Sequence, residues 1–155
     1  MPLNLHACAE ALNQGFSKVY QRYLLKRMKR SMTQKFDRHT AAFDWERAMT
    51  ARDFYEFDDV VTAPLHGFTD VQDYYNSCSS AQFLKNIERP TLVVNALDDP
   101  FMTPEVIPDE SQISEHVLIE ASAHGGHVGF IEGGTPWRPK FYLPRRVVSF
   151  LSEQL

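Results

Sequence analysis

Apolar residues recur every three or four positions in the first part of the chain, from about residue 7 to residue 36. This spacing is the period of an amphipathic α-helix, and a break near Gly15 would divide it into two helices. A similar pattern over residues 70–85 predicts further helix, with Thr69 and Asp70 at its N-terminal cap. The opening part of the chain is therefore expected to be helical.

Another helical stretch is predicted between Trp45 and Ala63. The pair Asp58 and Asp59 is interpreted as an acidic turn after this helix. Pro64 is interpreted as its end, because proline cannot donate the backbone hydrogen bond that continues a helix. The segment is thus expected to be helical only before its acidic turn.

The pattern changes at Pro90, after which two short aliphatic runs stand at 91–97 and 114–121. Such continuous runs are typical of strands buried on both faces in a parallel sheet. Residues 103–108 fit a brief helical crossover between them, and residues 145–155 predict a closing amphipathic helix. The predicted fold class is α/β, with the parallel strands in the second part of the chain.

Polar side chains follow both predicted strands. Asp98 and Asp99 come after the first, and His124 and His127 come after the second, among glycines. Since neighbouring parallel strands end at the same edge of a sheet, we expect these clusters to meet there. Asp99 precedes Pro100, which favours an extended loop conformation. An acid followed one strand later by a histidine is the order of the last two members of a Ser…Asp…His triad.

The serine of such a triad is not evident in this sequence. Its usual setting is Gly-x-Ser-x-Gly, and only Gly15 and Gly67 precede residue 125. The clustered serines before Asp99 lack flanking glycines and are interpreted as helix-end residues. These are Ser77, Ser79 and Ser80.

A metal site is the competing interpretation of the same polar residues, with His124, His127 and one of the two aspartates as ligands. The histidines are separated by Gly125 and Gly126, so they are not held on one helical face as in a zinc-binding helix. No metal and no cofactor is therefore predicted. Cys8 and Cys78 are too few for a disulfide framework and are interpreted as reduced thiols.

Composition fits one soluble globular domain, with 155 residues of which 43% are apolar. Neither a membrane-spanning run nor a secretion signal is recognisable, so a cytoplasmic location is expected.

Eight of the 16 Lys and Arg residues lie between Lys18 and His39, although the net charge is −4. This excess is interpreted as a solvated helix face. The alternative is a surface for anionic lipid headgroups or nucleic acid; membrane-surface contact is retained, and no nucleic-acid partner is predicted.

In combination, five segments resemble the YheT-like branch of the α/β-hydrolase superfamily, which is related to abhydrolase-domain lipases and esterases. These segments are residues 15–25, 56–63, 73–75, 98–101 and 124–130. The resemblance covers nearly the whole chain. It implies that the chain corresponds to the C-terminal part of an α/β-hydrolase fold, with the last parallel strands, their helices and a helical cap.

The resemblance also implies a division of the chain and two site residues. Residues 1–9 would be the end of a preceding core strand or a loop, residues 10–85 the helical cap, and residues 86–155 the C-terminal core segment. Asp99 would be the acid of the triad and His127 its base. The nucleophile would belong to the missing N-terminal half, so this chain alone is expected to be inactive.

The implied function is that of a carboxylic-ester hydrolase acting on acyl or lipid-like esters. The alternative is a catalytically incomplete domain that serves only in binding or assembly. The expected partners are a small acyl ester and, along the sheet edge, either the missing N-terminal half or a second copy. Aromatic residues of the cap would suit an acyl pocket or form its core: Phe16, Tyr20, Tyr23, Phe54, Tyr55, Phe57, Tyr74 and Tyr75.

Overall fold

The computed structural model describes residues 2–154, which form two compact units. The first unit runs up to Ser79 and is helical, and the second starts at Ser80 and contains the strands. The predicted α/β class is confirmed, because a parallel sheet and helices occur together. Within the described residues, no helix combines the length and apolar character needed to cross a bilayer.

Six α-helices make up most of the first unit. They are α1 (Leu5–Leu12), α2 (Ser17–Lys35), α3 (Trp45–Thr50), α4 (Phe54–Phe57), α5 (Ala63–Leu65) and α6 (Val71–Cys78). The predicted break between two opening helices is confirmed at Gly15, whose φ of +48° favours glycine. Residues 1–9 were expected to be the end of a strand or a loop, but α1 begins at Leu5, with the side chain of Asn4 accepting the Ala7 amide. Met1 lies outside the described residues.

The acidic turn predicted at Asp58 and Asp59 is wrong, because these residues begin a π-helical turn, Asp58–Thr62. Oδ1 of Asp58 accepts the Thr62 hydroxyl at 2.6 Å, and Oδ2 accepts the Tyr75 hydroxyl at 2.9 Å. Oδ1 of Asp59 accepts the Val71 amide at 3.2 Å. Since both carboxylates find partners within the unit, they need not stand in a solvated turn.

Pro64 does not end the helical region as predicted, because it lies at the start of α5, which continues to Leu65. The cap predicted at Asp70 is confirmed, with Oδ1 accepting the Asp73 amide at 2.8 Å. After α6 the predicted helical stretch continues as a 3₁₀ helix, Ser80–Asn86.

The core of the first unit lies between α2 and the helices that follow it. Leu25 and Met32 of α2 enter it, seven residues and so about two turns apart along the helix. Full burial stabilises each such side chain by about 1.5–3 kcal/mol. The buried members are Leu25, Met32, Ala48, Ala51, Phe57, Val60 and Val61. The apolar stripe that predicted α2 therefore buries only part of its length, and Phe16, Tyr20 and Tyr23 remain exposed.

The two predicted strands of the second unit are confirmed. Strands β1 (Thr91–Ala96) and β2 (Val117–Ser122) pair in parallel, in a register that runs from Thr91 opposite Val117 to Ala96 opposite Ser122. A short 3₁₀ turn, Pro104–Val106, lies in the connection, as the predicted crossover requires. Because the strands are parallel neighbours, their carboxyl ends lie side by side.

An antiparallel hairpin follows the sheet and was not predicted. Its strands are β3 (Ile131–Thr135) and β4 (Arg138–Phe141). All five residues of β3 are exposed, so no alternation of buried and exposed positions marks the strand. The hairpin is held by backbone pairing instead.

The closing helix α7 (Tyr142–Ser152) begins earlier than the predicted start at residue 145. The Glu120 carboxylate on β2 accepts the Tyr142 hydroxyl at 2.8 Å and Nε of Arg146 at 2.6 Å. These two contacts attach the first turns of α7 to the sheet. Leu155, the predicted last residue of this helix, lies outside the described residues.

Candidate active site

The structure brings together the two residues singled out as acid and base. Asp99 stands in the loop that leaves β1, and His127 stands in the loop that leaves β2. Nδ1 of His127 lies 3.0 Å from Oδ2 of Asp99. Residues 28 positions apart in sequence thus form a hydrogen-bonded pair at the carboxyl edge of the sheet.

The carboxylate of this pair is enclosed, whereas the imidazole is open. The Asp99 side chain is 5% exposed and that of His127 is 52% exposed. Oδ1 of Asp99 accepts the Phe101 amide at 2.8 Å, and the Phe101 ring centroid lies 4.3 Å from that of the imidazole. An ionised carboxylate is acceptor-only, so it favours the proton on Nδ1 and leaves Nε2 as the basic nitrogen.

Asp98 lies in the exposed turn after β1, directly before the acid of the pair. Its Oδ1 accepts the amides of Gly125 at 2.9 Å and Gly126 at 2.8 Å. Its Oδ2 lies 3.4 Å from Nδ1 of His124. The Gly126 amide, followed by that of Gly125 and by His124, holds the pKa of Asp98 below its usual value. Asp98 therefore ties the loop that carries His127 to the end of β1.

The glycines of that loop are needed for two different reasons. Gly126 has a φ of +58°, the left-handed region in which a side chain is strained. A Cβ atom on Gly125 would lie 2.7 Å from the ring of Phe130 and 3.0 Å from Cβ of Ala96. The loop thus turns sharply and lies close to the end of β1, which aims His127 at Asp99.

The histidines do not form a common metal cluster. His127 faces Asp99, whereas His124 faces Asp98 with a side chain that is 91% exposed. Among residues 2–154, no group of three or more His, Cys, Asp or Glu side chains is placed to hold a metal ion. The backbone carbonyl of His124 accepts the Ser122 hydroxyl at 2.6 Å, a local contact that shapes the start of the loop.

The clustered serines lie at the end of α6, as expected of helix-end residues. The Ser79 hydroxyl donates to the Tyr75 carbonyl at 2.6 Å and accepts the Leu5 amide at 3.0 Å. The Ser77 hydroxyl lies 3.3 Å from Oδ1 of Asp73. No serine of the described part of the chain is hydrogen-bonded to His127.

The aromatic side chains of the first unit divide between its core and its surface. Phe57 and Tyr75 are buried, with 4% and 2% of their surface exposed. Phe16, Tyr20 and Tyr23 are exposed. Part of the expected acyl-pocket set is therefore core, and part is exposed at the start of α2.

The chain is similar in sequence to known proteins of the alpha/beta hydrolase fold. Residues 2–134 match the family described as the alpha/beta hydrolase fold. The chain is 40% identical to YheT of Escherichia coli (strain K12), named as a candidate esterase, over 99% of this chain and 46% of YheT. It is 33% identical to the mouse phospholipase ABHD3, over 96% of this chain and 36% of that protein.

A third relative, the human monoacylglycerol lipase ABHD2, is 32% identical over 69% of this chain and 26% of its own length. The chain thus spans less than half the length of these curated relatives. No solved structure gives a significant match.

Proposed function

We propose that this chain, which belongs to the alpha/beta hydrolase fold family, supplies the base and its orienting acid to a serine-type carboxylic-ester hydrolase. The observation that carries the proposal is the 3.0 Å contact between the enclosed carboxylate of Asp99 and the half-exposed imidazole of His127. Its position at the ends of two parallel strands supports this, because α/β enzymes place their sites there.

The chemistry assigns one step to each side chain. Asp99 accepts the Nδ1 proton of His127, so that Nε2 can take the proton of a serine hydroxyl as its oxygen attacks the ester carbonyl. When the tetrahedral intermediate collapses, Nε2 returns that proton to the departing alcohol. Water then repeats the sequence on the acyl-enzyme and releases the acid. Asp99 stabilises the imidazolium that forms in each half of the cycle.

The nucleophile and the oxyanion donors are assigned to a segment outside this chain. In α/β-hydrolases they come from the turn around the serine and from an earlier loop, both of which precede the acid and base in chain order. The substrate class is proposed from the relatives, whose names describe an esterase, a phospholipase and a monoacylglycerol lipase. We therefore propose acyl or lipid-like esters as the substrate class of the complete protein.

The test uses the complete protein, with the segment that carries Gly-x-Ser-x-Gly, and follows release of p-nitrophenol from p-nitrophenyl butyrate. Asp99→Asn should lower kcat by about 10⁴-fold, as the corresponding change does in serine proteases, because the wrong imidazole tautomer is favoured. Asp109→Asn is the matched control, since Asp109 caps a 3₁₀ turn with its Oδ1, which asparagine retains. Lack of any ester hydrolysis by the complete protein would contradict the proposal. So would a damaging Asp98→Asn together with a harmless Asp99→Asn.

The 155-residue chain by itself should not turn over the same ester, because the proposal assigns the nucleophile and its oxyanion donors to a segment outside it. Turnover by the purified chain that is lost on substitution of a helix-end serine by alanine would overturn this assignment. The variants to measure are Ser77→Ala, Ser79→Ala and Ser80→Ala.

A further inference from the structure

A cleft of about 770 Å³ lies within the first unit, between α2 and the end of α3 with the residues that follow it. Its floor is apolar and includes Leu25, Met49 and Ala51. Its walls are cationic, and none of the described residues that line it carries a carboxylate. The cationic side chains are Lys18, Arg22, Lys26, Lys29, Arg30 and Arg52.

Four of these cations form a row along α2. Lys18, Arg22, Lys26 and Arg30 are spaced four residues apart, so each lies one turn from the next, and the 19-residue helix contains no acid. Like charges at this spacing repel each other and destabilise a helix. Among residues 2–154, none of the four forms an ion pair or a side-chain hydrogen bond. Within the described part of the chain, these four cations therefore have no direct side-chain partner.

Lys29 adds a cation of fixed position to the wall of the cleft. Its Nζ donates to the carbonyl oxygens of Met49 at 2.8 Å and Ala51 at 2.5 Å. Burial lowers the pKa of Lys29, and the charge of Glu56 acts in the opposite direction. An ammonium group has three N–H donors, so one remains for a ligand in the cleft.

We propose that this cleft binds the phosphate group of a small phosphorylated ligand, either the headgroup of a single lipid molecule or free phosphate. One guanidinium group can bind two oxygens of a phosphate through parallel hydrogen bonds. The cleft contains three guanidinium groups, those of Arg22, Arg30 and Arg52. The volume lies within the usual range of small-molecule sites. An apolar floor beneath the cations suits a ligand with a carbon skeleton. All lining residues belong to the first unit.

The test measures binding to the purified full chain by calorimetry, with inorganic phosphate and with dihexanoyl phosphatidic acid below its micelle concentration. The cleft variant combines Lys26→Gln and Arg30→Gln. The control combines Arg27→Gln and Lys35→Gln, which remove the same charge from the same helix outside the cleft. We expect the cleft variant to bind at least tenfold more weakly and the control to stay within twofold of the native chain. Circular dichroism should show native helix content for both, because the replaced side chains of the cleft variant are exposed.

The relative affinities of the two probes distinguish the sources of phosphate. Tighter binding of the lipid by tenfold or more assigns the site to a lipid headgroup, and equal affinities assign it to free phosphate; either result supports the proposal. Equal weakening by the cleft and control variants would overturn it, because the attraction would then be a diffuse effect of net charge. Binding only to phosphatidylglycerol-containing vesicles, with neither soluble probe bound, would also overturn it in favour of a membrane surface.

Discussion

The ring of Phe130 occupies the space into which a side chain at Gly125 would extend, since a Cβ atom there would lie 2.7 Å from the Cδ1 and Cε1 atoms of the ring. The two residues are also joined through their backbones, with the Phe130 amide donating to the Gly125 carbonyl at 2.9 Å. Phe130 is buried and has a φ of +42°, which few residues with a side chain adopt. His127 lies between them in sequence, so its position depends on this packing.

Gly125→Ala should lower the free energy of unfolding by about 1–3 kcal/mol, because the added methyl group overpacks a filled site. Urea denaturation of the purified chain measures this change. Gly129→Ala is the matched control, since its Cβ would meet only the Gly125 carbonyl oxygen, at 3.4 Å. Equal losses in the two variants would contradict the role given to the Phe130 ring.

Asp98 should act by positioning the loop of His127, so its replacements are expected to differ in the ester-hydrolysis assay proposed for the complete protein. Asn retains an oxygen that can accept the amides of Gly125 and Gly126, and Asp98→Asn should keep kcat within a few fold. Asp98→Ala leaves both amides without that acceptor. It should lower kcat on the order of 10²-fold, the effect of a misplacement of about 1 Å, with little change in KM. Identical kinetics for the Ala and Asn variants would show that these hydrogen bonds do not position the base.

The stability of the first unit should depend on pH through Asp58. Burial raises the pKa of this carboxyl group, against the opposing hydrogen bonds from Thr62 and Tyr75. Because the pKa is higher in the folded state, Asp58 contributes fully to the free energy of unfolding below its unfolded-state pKa. This contribution is lost as pH rises through the folded-state pKa. Asp58→Asn, which stays neutral, should therefore gain stability relative to the native chain as pH increases. Urea denaturation between acidic and neutral pH measures this difference.

Asp73 provides the comparison with opposite sign. The Thr69 amide lowers the pKa of Asp73, so its contribution is present above the unfolded-state pKa and is lost as pH falls through the folded value. Asp73→Asn should thus lose stability relative to the native chain as pH increases. If the free energy of unfolding, relative to the native chain, changed with pH in the same direction for both variants, the opposite pKa shifts of Asp58 and Asp73 would be contradicted.

The sheet edge should recruit a further strand. Within residues 2–154, β1 and β2 form a two-stranded sheet, so each strand has one edge without a strand partner. Leu118 of β2 is also exposed, and apolar parallel strands are normally covered. Light scattering at micromolar concentration should show self-association of the purified chain. A folded monomer in which the amides of Leu92, Val93 and Val94 are protected from hydrogen exchange would contradict this.

Local patterns in the sequence were sufficient for the parallel strands and for the break at Gly15. A continuous aliphatic run predicts a buried strand, and an interrupted helical period next to glycine predicts a helix end. The proximity of Asp99 and His127 also followed from local information, because each residue comes directly after a predicted strand. The resemblance to the YheT-like hydrolases, carried by short motifs, is confirmed.

Other features depend on partners that are distant in sequence. Asp98 is an exposed turn residue, and its two amide partners come from the loop after β2, 27 and 28 residues away. Asp58, at the start of the π-helical turn, has one of its partners in Tyr75, which lies 17 residues later and donates to its carboxylate. Strand β3 of the hairpin is exposed and contains two glycines. Its backbone hydrogen bonds therefore cannot be predicted from an alternation of apolar and polar residues in the sequence. Periodicity records which face of an element is buried, whereas polar side chains are assigned their roles only when folding brings their partners within hydrogen-bonding distance.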